Sequence, residues 1–323
     1  MKKQYTIVLI LAGLLFIISL ALGKYHIPLS ALFNGFANDE LGRQVFFNLR
    51  LPRAIMAAFA GFALALVGSV MQTIFKNPLA SPDIMGVSSG ASAGAACAIL
   101  FMGGGFLAVT AGAFIGGLAA VALAILLAQG ANQRQLATFV VSGIAVNALA
   151  QSLLMLLKIT ADPHHELAAI EFWIMGGLGN VTMAKTGGSI AATLPVIILL
   201  IMLNRQIVLM SLPDTEAAAL GVNLRRVRPL VLILSTLAVA GVVSVTGLIS
   251  FIGLIAPHLS RLILKRNNLA TWLFSGLTGA CLLLAADLLA RSFTNAEIPV
   301  SILTSVIGVP VLIAIMLPGG RLK

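Results

Sequence analysis

The chain has 323 residues, of which 59% are hydrophobic and only 9% charged, with a mean hydropathy of +1.07. A soluble domain carries about 25% charged residues, so the composition excludes one and leaves an all-α membrane protein of many helices. Twenty Lys and Arg against ten Asp and Glu give a net charge of +10; its distribution along the chain accounts for it without nucleic-acid binding.

Ten apolar runs approach the ~20 residues needed to cross ~30 Å of hydrocarbon. They are predicted at 5–23, 51–75, 84–102, 106–129, 136–157, 188–204, 229–246, 248–264, 269–290 and 299–317. The first follows Met1-Lys2-Lys3 as a signal peptide would, but it exceeds the usual ~7–15-residue signal core and reads as an uncleaved span. Turn signals are weakest among the third to fifth runs and between the seventh and eighth, where a nine-span count also fits. Cys97 and Cys281 lie inside apolar runs as small hydrophobes, and no disulfide framework or metal site follows from them. Gly90-x-x-x-Gly94 and Gly112-x-x-x-Gly116 are spaced to seat neighbouring helices closely.

Charge fixes the expected orientation. With both termini cytoplasmic, thirteen Lys and Arg fall inside and seven outside, in the direction of the positive-inside rule. Seven carboxylates match the seven outer cations. Asp83, Asp214 and Glu216 fall inside, which leaves the whole net charge of +10 on that side.

Between the spans, 24–50 is an expected outer segment with a helical pattern around Pro28 to Phe33. A second outer segment, 158–187, carries a short amphipathic helix from Glu166 to Trp173 that leads into Met175-Gly176-Gly177-Leu178-Gly179. The sizeable polar loop on the inner side is 207–229. Within it, Leu209 to Val222 reads as a short helix entered at Pro213 and ended by Gly221. Its apolar face has no span of its own to cover, so it lies on lipid or docks in another protein. No linker or second domain is apparent, and 1–323 is one transmembrane domain.

The most distinctive stretch runs from Arg50 to Ser92. Arg50-Leu51-Pro52-Arg53 opens an apolar run that passes Gln72 and breaks at Asn77-Pro78-Leu79-Ala80-Ser81-Pro82-Asp83. Gly86-Val87-Ser88-Ser89-Gly90-Ala91 then starts another run. Irregular backbone at membrane depth is tolerated only where it lines a cavity or is buried in protein. The stretch closely resembles the permease subunits of iron-siderophore, haem and cobalamin ABC importers, the FecCD-like family. Gly247 to Arg261 (GLISFIGLIAPHLSR) and Ile307-Gly308-Val309-Pro310 extend the resemblance over essentially the whole chain.

The resemblance implies the fold of a type II ABC importer permease. It implies a second permease chain, two ATPase subunits and a periplasmic or lipid-anchored binding protein. The implied cargo is a metal chelate, ferric siderophore first, with haem, cobalamin or molybdate/tungstate as alternatives. Arg50, Arg53 and Arg291 would receive acidic residues of the binding protein. The first two sit one helical turn apart on one face, and Arg291 projects into the outer vestibule. Asn77 and Leu79 would form the cytoplasmic gate, near the start of the fifth span at Arg134 to Thr138. Glu216, Ala217, Leu220 and Gly221 would contact the ATPase. Met71, Gln72, Ser88, Ser89 and Ser92 would line the pathway.

Enzyme chemistry finds little footing. There is no G-x-x-x-x-G-K-[ST] phosphate loop, so no cofactor is expected on this chain, and ATP and Mg belong on the partner ATPase. His164-His165-Glu166 begins like a zinc-protease motif, but Ala169 stands where the second histidine is needed. Asp287 and Arg291, four apart, read as a self-neutralising pair. His258, a turn from Arg261, is expected to make a structural hydrogen bond. An ion-coupled secondary transporter is the competing class, but it calls for carboxylates at mid-depth.

Overall fold

The computed structural model describes residues 2–23, 25, 36, 39–130, 136–292 and 297–316, with side chains to 313. Every regular element among them is helical. In order they are α1 (Lys2–Ala21), α2 (Glu40–Gln44), a π-helical turn (Val45–Arg50), α3 (Leu51–Ile74), a 3-10 turn (Pro82–Met85), α4 (Val87–Phe101), α5 (Phe106–Gly130), α6 (Leu136–Thr160), α7 (Glu166–Met175), α8 (Met183–Met202), α9 (Asn204–Leu209), α10 (Asp214–Ala219), α11 (Leu224–Thr246), α12 (Ile252–Leu264), α13 (Leu269–Ser292) and α14 (Val300–Met316). Counting 40–74 as one, seven helices are long and apolar enough to cross a bilayer, and α4, α12 and α14 are shorter apolar helices. These ten coincide with the ten predicted runs.

Several boundaries differ for identifiable reasons. The segment 40–50 is no loop: Asp39 caps α2 by accepting from the Gly42 amide at 2.8 Å, and the π turn carries the helix into α3. Pro52 is tolerated because it falls in the first turn of α3, where its missing N–H costs little. The helical pattern at 28–33 lies outside the described residues, as do Arg134 and the basic C-terminal residues. α12 begins at Ile252 because residues 247–251 are unwound, with Gly247 and Phe251 both at φ +66°. The expected helix from Leu209 to Val222 is shorter, α10 alone, with α9 ending at Leu209 where it was to begin. Pro213 does enter α10, and Gly221 at φ +88° ends it.

α3 is buried along nearly all its length, and α11 and α13 along most of theirs. α1, α6, α8 and α14 form the periphery and present Ile10, Leu14, Ile144, Met155, Ile198 and Ile313 outward. Small residues set the closest approaches. A Cβ on Gly61 would overlap the Gly279 carbonyl where α3 crosses α13. The two glycine spacings noted in the sequence face each other: Gly94 lies on the Gly112 carbonyl and Gly90 on that of Gly116. This close backbone contact binds α4 to α5 without large apolar side chains between them.

Helix lengths place the broken hairpin. At ~1.5 Å per residue, α3 spans ~36 Å and α4 only ~22 Å. The 3-10 turn that starts α4 therefore re-enters the bundle. It packs on α6, where Gly143 faces the Ile84 carbonyl, and Asp83 shares a cavity with Leu64, midway along α3. Asp83 is thus recessed to mid-depth and not at the bundle's end, where its place after Asn77 to Pro82 suggested. The His258 side chain makes no hydrogen bond among the described residues, contrary to the expectation.

Candidate functional site

One end of the bundle carries the expected arginines, but each is turned inward. Arg50 Nη1 donates to the carbonyls of Leu20 at 2.9 Å and Ala21 at 2.6 Å, and Nη2 donates to that of Tyr25. The guanidinium thereby caps the C-terminus of α1, where cations and donors are favoured. Arg53 takes a different direction. Its Nε donates to Asp287 Oδ1 at 2.8 Å, and its Nη1 to both oxygens of Glu297 at 2.9 and 3.0 Å. Arg291 Nη2 donates to the Ser19 carbonyl and hydroxyl at 2.6 and 2.7 Å.

These positions revise three expectations. Arg50 and Arg53 do not point outward together: the backbone is helical through both, but each guanidinium follows its own acceptor. Arg291 does not project into a vestibule. Asp287 is fully buried and takes Arg53 as its principal partner, while Arg291 Nε stands off at 3.7 Å. All three arginines are only 4–8% exposed. Arg53 and Arg291 pair with the two carboxylates while Arg50 bonds carbonyls alone, so three cations against two anions leave one positive charge where α1, α3, α13 and the residues before α14 meet. Glu297 went unassigned in the sequence, although it stands three residues before α14 at the end that carries Asp287. A cavity of about 300 Å³ opens beside it. There Lys185 Nζ lies 4.0 Å from the Phe106 ring centre and donates to the Asn180 carbonyl at 2.7 Å.

At the opposite end, Lys76 and Arg228 both bond Asp214, at 3.1 and 3.0 Å. This links the end of α3 and the start of α11 to α10. Burial alone would raise the Asp214 carboxyl; the hydrogen bonds and charges of Arg228 and Lys76 outweigh it and hold the group below the usual carboxylate range. Next to Lys76, Asn77 and Leu79 are exposed, and Asn77 Oδ1 accepts from the Leu79 amide at 2.9 Å. On α10, Glu216 is exposed, and Leu220 and Gly221 just beyond it are exposed too, whereas Ala217 is wholly buried in this chain's own core. Ala217 is therefore not available as a partner contact: its methyl seats α10, and the outward face is Glu216, Leu220 and the Gly221 turn.

The expected pathway residues separate similarly. Met71, Gln72, Ser89 and Ser92 are buried within the chain. Gln72 Nε2 bonds the Leu254 carbonyl at 3.2 Å, and Ser89 and Ser92 bond carbonyls of their own turn at 3.0 and 2.9 Å. Only Ser88 opens to a cavity, where its hydroxyl donates to Asp83. Asn147 and Gln151, four apart on α6, are exposed at membrane depth and went unassigned. Their signal was present: two amides on one face of an apolar helix. Near α7, Glu166 accepts from the Asp162 amide at 2.9 Å and Asp162 from that of His164 at 2.7 Å. The His-His-Glu run is thus part of a helix start.

Residues 9–318 match the FecCD transport family. The chain is 37% identical over 310 residues to the hemin transport system permease protein HmuU of Yersinia pestis, covering 94% of this chain and 91% of that one. It is 36% identical over 301 residues to the molybdate import system permease protein MolB of Haemophilus influenzae, covering 91% and 89%. A solved metal-chelate type ABC transporter in an inward-facing conformation superposes with a TM-score of 0.88 at 34% identity, covering 97% of this chain and 98% of that one. The family match and these similarities each extend over nearly the whole of the ten-helix bundle. The chain belongs to the FecCD transport family and is a multi-pass membrane permease subunit of an ABC importer.

Proposed function

We propose that this permease imports a metal chelate, a ferric siderophore before haem, cobalamin or molybdate/tungstate, handed over by a binding protein and driven by two ATPase subunits. The Lys76 end faces the cytoplasm and the Arg53 end faces outward, as the cation asymmetry requires. Two permease chains pair around the route. ATP and Mg are held by the ATPase chains, and this chain performs no hydrolysis.

The observation that carries this reading is the Lys76–Asp214–Arg228 cluster. It fastens α10, whose Glu216 and Leu220 face outward, directly to the residue that precedes Asn77 and Leu79. Movement of an ATPase against α10 would be transmitted through Asp214 to the end of α3, and Asn77 and Leu79 would open or constrict the route. At the Arg53 end, the residual positive charge suits acidic residues of a binding protein. Arginine binds carboxylates bidentately and keeps its charge at any workable pH.

The cargo reading rests on the chelate and oxyanion permeases among the relatives and on a bundle with few charged side chains at mid-depth. The test is co-purification and ATP-driven uptake in proteoliposomes with the ATPase and binding protein encoded beside this chain. Leu220→Arg should lose the ATPase while the binding protein still docks. An ATPase that binds Leu220→Arg normally and is stimulated normally by cargo would refute the coupling role.

A further inference from the structure

Asp287, Glu297, Asp214 and Glu171 each have a Lys or Arg within 4.0 Å. Asp83, recessed to the middle of the bundle but exposed where its cavity opens, has none among the described residues. Its one side-chain partner is the Ser88 hydroxyl, a neutral donor. It faces an open-sided cavity of about 230 Å³ that Ser81, Ser88 and Ser250 also line, with Leu64 and the unwound turn at Phe251. Acids at that depth in membrane proteins face a cavity, as Asp83 does, and are ordinarily paired or functional. The nearby start of α4 supplies only part of a positive charge, about half a unit at most.

We propose that this cavity binds one monovalent cationic group, with Asp83 as its charged partner and the Ser81, Ser88 and Ser250 hydroxyls as oxygen donors. One carboxylate among neutral oxygens matches a single positive charge, whereas divalent ions draw on several carboxylates. The volume admits a small ion with some of its water, or an ammonium head, and is too small for a whole metal chelate. The group therefore comes either from the aqueous phase, as Na⁺ or K⁺, or from an amine carried on the cargo. The site goes beyond the transport reading and binding can be read on the permease alone; only its assignment to an amine of the cargo rests on that reading.

The experiment is thermal unfolding of the full-length permease in lipid nanodiscs, titrated with NaCl, KCl or methylammonium chloride at ionic strength held constant with choline chloride. At least one of these cations should raise the unfolding midpoint saturably. Asp83→Asn should shift the half-saturating concentration upward by roughly tenfold or more, the scale of losing a charged hydrogen-bond partner. Ser250→Ala, which leaves the carboxylate in place, should shift it in the same direction and guards against misfolding of the first variant. A response to Na⁺ or K⁺ alone assigns the site to a free ion. A response to methylammonium alone assigns it to an amine on the cargo. Absence of a saturable response to all three salts, or one that neither substitution moves, overturns the proposal.

Discussion

Arg53 Nε lies 2.8 Å from Asp287 Oδ1 although the two residues are 234 positions apart, and Asp287 is fully buried. The pair closes α3 onto α13 at the end where the chain also gathers Arg50, Arg291 and Glu297. Breaking a buried pair from one side strands the other charge, so Asp287→Ala should cost about 3–5 kcal/mol. Arg53→Met combined with Asp287→Leu should cost clearly less than the sum of the single changes. Unfolding in detergent, measured as a double-mutant cycle, checks both; strict additivity would mean that the two side chains do not interact.

Glu297 is the exposed member of that cluster, with its side chain 47% accessible while it holds Arg53. If binding-protein carboxylates use Arg53, Glu297 competes with them. Glu297→Gln should then tighten docking by up to about fivefold, the scale of a half-exposed ion pair. Docking should also weaken with salt, since exposed charges are screened beyond ~8 Å at physiological ionic strength. Affinity that responds neither to Glu297→Gln nor to salt would move the docking surface to segments 24–50 and 158–187.

Asp214 should give the opposite end a pH dependence. Its carboxyl titrates below its ordinary range in the folded chain, so its stabilisation is fully present above the unfolded value of about 3.9 and is lost as pH falls through the folded value. The unfolding midpoints of wild type and Asp214→Asn should differ most near neutral pH and converge in acid. Because the side chain is nearly half exposed, the difference is expected to be small and to shrink with added salt. A gap that widened on acidification would contradict the assignment.

The α4–α5 contact should tolerate no added bulk at Gly94, which lies directly on the Gly112 carbonyl. Gly94→Leu should destabilise by more than the ~1–3 kcal/mol of ordinary overpacking, because backbone rather than a side chain must yield. Gly187→Leu, at a helix position with open space around it, is the matched control. Equal expression and melting of the two variants would mean that the helices can separate there without cost.

Orientation is open to a direct measurement. Cysteine at Glu40 should react with an impermeant thiol reagent in intact cells, and cysteine at Arg226 only after permeabilisation. Reversed labelling would invert the assignment of both charged ends.

Much of this protein follows from the sequence because membrane burial acts locally. Each span must satisfy its own backbone hydrogen bonds, so a run of about 20 apolar residues becomes a helix whatever its neighbours do. The ten runs, the Pro213 entry and Gly221 exit of α10, and the two glycine spacings of α4 and α5 were all legible on that basis. The motifs around Arg50–Arg53 and Asn77–Asp83 likewise carried the family. What the chain order could not convey is which direction a polar side chain takes. Arg50 and Arg53, three apart, bond different neighbours because their acceptors lie at the end of α1 and on α13 with its following segment. Ala217 faces its own core, and Gln72, Ser89 and Ser92 bond carbonyls instead of lining a route. Asp83 is recessed because α4 is some nine residues shorter than α3, a mismatch that matters only once the two pack. Depth, partner and accessibility of a charge are properties of the surrounding helices, and only their packing decided them.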